Sequence, residues 1–116
     1  MSDFPIPDAF TVRTEERHDA HVVIPKGELD LATAPALDTA LDRAFAAVGP
    51  GRVVLDLREL EFIDSSGLRT LLTARRRAEQ AGSQFSLVAG HRGLERTLEI
   101  AGVHNVFSWT PEEELA

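Results

Sequence analysis

Hydrophobic positions recur along this chain with two different periods, which divide it into predicted strands and helices. Alternation over Phe10–Thr14 and an apolar run at His21–Ile24 predict two strands. The polar stretch from Glu15 to Ala20 predicts the turn of an antiparallel hairpin. Pro25 cannot donate to a strand ladder, so the second strand either ends there or turns the missing donor outward.

Three later segments carry apolar residues at steps of three and four, which is typical of helices with one buried face. Their faces consist of Leu37, Leu41, Ala44, Phe45 and Val48; of Leu68, Leu71, Leu72 and Ala78; and of Leu94, Leu98 and Ala101. Glycine follows each segment, as expected at helix C-termini. A nearly continuous apolar run at Val53–Leu57 predicts a strand buried on both faces, and Phe85–Ala89 predicts another strand.

The resulting β-β-α-β-α-β-α order predicts an α/β fold with a mixed four- to five-stranded sheet and helices packed against it. Val106-Phe107 suggests a brief edge strand, and Thr110-Pro111-Glu112-Glu113 suggests a capping box that opens a last helical turn. Residues 1–9 contain two prolines and no periodicity, so we expect a flexible N-terminal arm, with a single domain over residues 10–116.

Composition narrows the classes of function. Nineteen acidic and twelve basic residues give a net charge of −7, which disfavours direct binding to nucleic acid. The absence of cysteine excludes disulfides and thiolate chemistry and fits a reducing compartment. The apolar runs are too short to span a membrane, and the N-terminus lacks a signal-peptide pattern. We therefore expect a cytoplasmic protein without a membrane partner.

Three carboxylates, Asp30, Asp56 and Asp64, lie near the ends of apolar runs and could converge at one edge of the sheet. Such a cluster can hold Mg²⁺ and accept a phosphoryl group. That chemistry also needs a positive partner on a later strand, and the single lysine, Lys26, lies in the first half of the chain. Helix caps and turn formers are therefore the favoured interpretation of these three residues.

Other patterns of catalysis or cofactor binding are weak. The histidines, His18, His21, His91 and His104, have no metal-ligand spacing and are expected in loops or on the surface. No phosphate-binding loop is present, and Gly90-His91-Arg92-Gly93 fits a simple strand-to-helix turn better than an anion site. The serines are not in a nucleophile elbow. We therefore expect no catalytic residue, cofactor or metal.

The turn Asp64-Ser65-Ser66-Gly67 stands where an apolar segment gives way to a helix. Any of its first three residues can cap that helix by accepting from its first backbone N–H groups. Gly67 would leave the first turn bare, so that a partner's backbone could approach closely. A hydroxyl here also suits a switch, because the helix dipole tolerates an added phosphate that a docked partner would have to desolvate.

Two motifs give the chain a resemblance to stand-alone STAS domains of the anti-sigma factor antagonist family. Gly27-Glu28-Leu29-Asp30 matches the GELD motif of that family. The segment from Asp56-Leu57 through Phe62-Ile63-Asp64-Ser65-Ser66-Gly67-Leu68 matches its DL…FIDSSGL motif. The predicted element order agrees with that family from about Phe10 to the C-terminus.

The resemblance implies a partner-switching regulator of transcription, and not an enzyme. Unphosphorylated members bind an anti-sigma factor that is also a serine kinase, and so release the sigma factor. The kinase phosphorylates the serine after the motif aspartate, here Ser65, and a PP2C-type phosphatase restores it. Asp30, Asp64, Ser66 and Gly67 would form the docking surface around this phosphorylation site.

Arg69 departs from the family pattern, because many relatives have a small residue after the motif leucine. One turn into the helix, Arg69 could pair with an acidic partner or with a phosphate on Ser65, so we add it to the candidate docking residues. Pro25 beside the GELD motif is a second departure, which could alter the local strand edge.

Two other classes of function stay open at this stage. The chain could be a structural STAS subunit of a lipid-transport ABC assembly or another signalling complex, with the serine acting only as a cap. It could also be a nucleotide-binding or weakly hydrolytic domain, against which the missing phosphate loop and the single lysine argue.

Overall fold

A five-stranded mixed sheet with three helices forms the fold, as the computed structural model of residues 10–115 shows. The strands are β1 (Thr11–Arg17), β2 (Ala20–Leu29), β3 (Arg52–Asp56), β4 (Leu60–Ile63) and β5 (Gln84–Val88). The helices are α1 (Ala34–Val48), α2 (Ser65–Ala81) and α3 (Arg92–Ile100), and single 3₁₀ turns follow at His104–Val106 and Glu112–Leu115. The predicted fold class is confirmed, with β4 added to the predicted order. The predicted arm, residues 1–9, lies outside the described residues.

The hairpin of β1 and β2 is longer than the sequence pattern predicted. Strand β1 continues to Arg17, and only His18 and Asp19 form the turn, with φ values of 50° and 64°. Two residues with positive φ match the twist of a two-residue hairpin, and His and Asp tolerate this backbone region better than most residues do. The expected turn at Glu15–Ala20 was therefore wrong in extent, because an edge strand can carry charged residues on its exposed side.

Strand β2 runs through Pro25 because its partner changes there. Its first half, Ala20–Val23, pairs in parallel with β3, and its last part, Gly27–Leu29, pairs in parallel with β4. Pro25 lies between the two paired segments, where no donor to β3 or β4 is required. The register shifts at Gly27, whose φ of 112° favours glycine.

Buried side chains from all three helices form one hydrophobic cluster with side chains from one face of the sheet. Val23, Val53, Leu55 and Leu87 belong to this cluster, whereas their neighbours Val22, Val54 and Val88 belong to a second cluster on the other face. The predicted faces of α1 and α3 are largely confirmed, with Leu37, Leu41, Leu94 and Leu98 buried. On α2 the prediction for Leu72 was wrong: it is exposed, and Thr70, Leu71, Ala74 and Ala78 form the buried face.

The C-terminal segment contributes to both clusters, and its conformation differs in part from the prediction. Instead of a strand at Val106-Phe107, Trp109 forms a single parallel bridge with Leu87. The predicted last helical turn is present as the 3₁₀ turn at Glu112–Leu115. The Thr110 hydroxyl bonds to Ser86 at 2.6 Å and accepts from Arg52 at 3.0 Å. Within residues 10–115, no helix has the length and hydrophobicity needed to cross a membrane.

Arginines hold the last turn of this segment on the sheet. The Arg58 guanidinium bonds to Glu112 at 3.0 Å, and Arg17 donates to the Leu115 carbonyl at 3.1 Å. Leu115 is 2% exposed and joins the second cluster with Val22, Ile24 and Val54. Leu115 at the end of the described chain is therefore part of the apolar cluster on the face of the sheet opposite the helices.

Leu115→Ala should lower the free energy of unfolding by about 2 kcal/mol, at the low end for a buried leucine because the segment can relax into the gap. Urea denaturation followed by circular dichroism measures this change. Ile100→Ala is the matched control, since Ile100 is 78% exposed and its replacement should change stability by less than about 0.5 kcal/mol. Equal stability of both variants would show that Leu115 does not contribute to this cluster.

Candidate functional site

The pairing of β2 with β4 brings the two sequence motifs together. Leu29 lies opposite Ile63 in the parallel register, and the Asp64 N–H donates to the Leu29 carbonyl at 3.1 Å. Asp30 and Asp64 therefore leave the sheet side by side, at the carboxyl ends of neighbouring strands. Helices α1 and α2 begin just beyond them, so the edge of the sheet and two helix starts form one surface.

Asp64 is the N-cap of α2. Its Oδ1 accepts from the Gly67 N–H at 3.0 Å, and its carbonyl accepts from the Leu68 N–H at 2.9 Å. The carboxylate thus satisfies one of the helix's orphan donors and fixes the direction in which the chain enters the helix. Of the three residues that the sequence offered as caps, the aspartate has this role.

Ser65 is the first residue of α2 and is exposed. Its hydroxyl makes no hydrogen bond with any other described residue. Ser66 is half-buried, and its carbonyl accepts from the Thr70 hydroxyl at 3.2 Å. Neither serine hydroxyl bonds to another described residue, so exposure distinguishes the two: the Ser65 hydroxyl is the more accessible to another molecule.

Gly67 lies beneath this surface and faces the sheet. A Cβ at this position would stand 2.6 Å from Ile63 Cγ1 and 2.8 Å from Leu29 Cγ. The interpretation of Gly67 as a bare contact for a partner's backbone was wrong, because the residue is buried. Glycine is required here so that α2 can approach the paired ends of β2 and β4.

Asp30 organises the loop between β2 and α1. Its Oδ1 accepts from the Ala32 and Thr33 N–H groups at 3.0 and 3.1 Å. The Thr33 hydroxyl accepts from the Asp30 N–H at 2.9 Å and donates to the Glu28 carbonyl at 2.7 Å. These bonds hold the loop in one conformation and place Leu31 at its tip, 77% exposed.

A groove of about 290 Å³ separates the beginnings of α1 and α2. Its lining includes Leu31, Pro35, Asp38, Ser66, Arg69 and Thr73. The groove combines apolar side chains near the start of α1 with polar side chains from both helices, which is the mixed character of a protein-binding surface. Arg69 is exposed and forms no ion pair with the described residues.

Sequence reasoning missed Leu31 of this surface and the exposure of Phe62 on the nearby strand β4. Both are apolar and yet exposed, Leu31 in the loop after β2 and Phe62 on β4. The available signal for Leu31 was its position between a turn-forming aspartate and a helix start, where a solvated loop favours polar residues. Phe62 gave no such signal, because it stands within an apolar segment.

Asp56 does not join Asp30 and Asp64. It is buried at the end of β3, and both of its carboxylate oxygens accept from Arg58, at 2.7 to 3.1 Å. The hydrogen bonds that Arg58 donates to Asp56 raise the pKa of the Arg58 guanidinium above its ordinary value. Each of the three aspartates is thus a cap, a turn former or an ion-pair partner, and residues 10–115 contain no group of three or more metal-binding side chains.

The turn at Gly90–Gly93 is also closed by its own residues. His91 caps α3, with Nδ1 accepting from the Leu94 N–H at 3.2 Å, and Nε2 lies 2.9 Å from the Glu61 carbonyl oxygen. The Gly90 N–H donates to a Glu95 carboxylate oxygen at 3.0 Å. Two of the donors that an anion would use are therefore bonded within the chain, and the strand-to-helix interpretation is confirmed.

Comparisons with known proteins agree with this geometry. The family model described as the STAS domain matches residues 11–116. An anti-sigma-F factor antagonist of Mycobacterium tuberculosis is 32% identical over 101 residues, which cover 87% of this chain and 81% of that protein. An anti-sigma-B factor antagonist of Listeria monocytogenes is 31% identical over 98 residues, covering 83% and 84%.

A solved structure is similar over nearly the same extent. The crystal structure of an anti-sigma factor antagonist from Mycobacterium paratuberculosis superposes with a TM-score of 0.78 at 30% sequence identity. The match covers 91% of this chain and 89% of that one. The sheet, the helices and the edge that carries Asp64 and Ser65 lie within the matched extent of the family model.

Gly67→Ala should destabilise the protein by about 1 to 3 kcal/mol, because the added methyl group overlaps Ile63 and Leu29. The loss should appear although alanine is the better helix former by about 1 kcal/mol. Urea denaturation measures it, and Ser65→Ala on the exposed side of the same turn should stay within about 0.5 kcal/mol of the parent. Increased stability of Gly67→Ala would contradict the close approach of α2 to the sheet.

Asp64→Ala should lower the free energy of unfolding by about 1 kcal/mol through loss of the cap, whereas Asp64→Asn should retain most of the stability. Asparagine keeps an oxygen for the Gly67 N–H and removes the charge, so the pair separates capping from electrostatics. Thermal and urea denaturation of both variants check this expectation. It would be wrong if Asn destabilised as much as Ala.

Proposed function

Since this chain belongs to the STAS domain family, we propose that it is an anti-sigma factor antagonist controlled by phosphorylation of Ser65. In the unmodified state it binds an anti-sigma factor and so releases the sigma factor for transcription. The anti-sigma factor is also the serine kinase that modifies Ser65, and a PP2C-type phosphatase reverses the modification. The protein acts in the cytoplasm as a binding partner and kinase substrate, and not as an enzyme.

The observation that carries the proposal is the uncommitted hydroxyl of Ser65. Asp64 caps the helix and Gly67 makes the contact with the sheet, so neither contribution to stability depends on the serine. Ser65 is exposed at the start of α2, and Ser66 lines the adjacent groove. A kinase can therefore reach the hydroxyl while the surrounding surface stays folded.

The proposed modification has a simple chemical balance. The Ser65 Oγ forms a bond to the γ-phosphorus of ATP, the bond to the bridging oxygen breaks, and ADP leaves. The hydroxyl proton passes to a base of the kinase, which also supplies the ATP site. The product carries about −1.5 to −2 charges at pH 7.

The new charge acts mainly on the partner. At the first turn of α2 the helix dipole tolerates a negative group, so the fold should survive modification. A partner docked on the same surface would have to remove water from the dianion, at a cost that the complex cannot recover without a cation opposite it. Phosphorylation would thus end binding without unfolding the domain.

The test uses the anti-sigma factor kinase recovered from the native cell with this chain. Incubation with that kinase and ATP should add one phosphate, on Ser65, as mass spectrometry of the intact protein and its fragments would show. Ser65→Ala should gain none, and the matched control Ser66→Ala should gain one. Calorimetry should show that Ser65→Ala binds the kinase like the parent and that the phosphorylated form binds at least about tenfold more weakly.

Equal binding of the phosphorylated and unmodified chains would overturn the switch and leave anti-sigma factor binding intact. Recovery of a transporter ATPase instead, with no phosphate on Ser65, would replace the proposal by a structural role in a transport assembly. These outcomes separate the family-level function from its regulation.

A further inference from the structure

The arrangement of Ser65 and Arg69 on α2 suggests how a phosphate would be held. The two residues are four positions apart, so they lie one above the other on the same face of the helix. Side chains of helical residues lean toward the N-terminus and cover the preceding turn. From this position a guanidinium at Arg69 can reach back along the helix to a phosphate on Ser65, and the Arg69 side chain lines the groove next to Ser66.

Arg69 is not committed to another carboxylate of the described chain. Asp38 lines the same groove, but its carboxylate pairs with Arg77 at 3.4 Å. Asp64 is bonded to the Gly67 N–H, and Asp30 to the Ala32 and Thr33 N–H groups. In a chain with nineteen acidic and twelve basic residues, Arg69 keeps an unshared positive charge one turn from the serine.

A phosphate on Ser65 would need this charge, because Asp64 and Asp30 place two carboxylates near it. A negative group N-terminal to a cation at a spacing of four residues is the favoured orientation on a helix. Arginine can also give two parallel N–H bonds to one phosphate, which lysine cannot. The four-residue spacing, the order of the charges along the helix and the paired N–H donors of arginine all suit a phosphate on Ser65.

We propose that Arg69 forms an intramolecular ion pair with a phosphate on Ser65. This inference rests on the proposed function, in that Ser65 must be the modified residue. Phosphorylation then changes the docking surface twice: it adds a dianion, and it removes the exposed positive charge that an acidic partner would contact. Arg69 is a specificity-determining residue of the surface in the unmodified state and the phosphate's ligand in the modified one.

The experiment installs phosphoserine at position 65 during translation, so that no kinase is needed. Phosphorus NMR then measures the second pKa of the phosphate in the parent, in Arg69→Gln and in Arg76→Gln. Arg76 is an exposed arginine of α2 about two turns further on, so its replacement removes the same charge at a distance. Asp30, Asp38 and Asp64 are unchanged in all three proteins, so their effect cancels.

The pKa should be about 0.5 to 1 unit higher in Arg69→Gln than in the parent, because loss of a near cation disfavours the dianion. Arg76→Gln should match the parent, and Arg69→Lys should recover part of the difference. The Arg69 Nε–H signal should also shift on phosphorylation and titrate with the phosphate. Equal pKa values in the parent and Arg69→Gln would overturn the inference, whether or not the cognate kinase acts on Ser65.

Discussion

The parallel pairing of β2 with β4 is the contact on which the rest of the site depends. Leu29 opposite Ile63 sets the register, and the bond from the Asp64 N–H to the Leu29 carbonyl extends it by one residue. A slip of one residue would turn every side chain of β4 to the other face of the sheet. Ile63 would then leave the core, and Gly67 would lose its packing contact with Ile63.

Because of this register, three of the four residues 64–67 have separate tasks. Asp64 caps α2, Gly67 permits the helix to lie against the sheet, and the Ser65 hydroxyl makes no hydrogen bond with the described residues. A similar division is present in the loop after β2, where Asp30 and Thr33 hold the backbone and Leu31 remains exposed. In both segments, some residues fix the backbone while a neighbouring side chain stays exposed.

Much of the architecture could be predicted from the sequence, because burial of one helix face leaves a regular trace. Helices α1 and α3 show this trace as apolar residues at steps of three and four. Strands β3 and β5 were predicted from their short apolar runs. Strand β4 was missed as a separate element because it has only four residues, of which the first and last are buried and the middle two exposed. That pattern is neither an alternation nor a continuous run.

The prediction for the site was limited by long-range contacts. The sequence identified the turn at Asp64–Gly67, but assigning the cap to Asp64 requires the position of its carboxylate. Leu29 and Gly67 belong to different motifs, and nothing local in either motif indicates that one packs on the other. If the Ser65 hydroxyl is the switch, its independence from the fold has a genetic consequence: losing the hydroxyl would yield an intact, permanently active antagonist and a dominant allele, whereas lesions at Gly67 would be recessive.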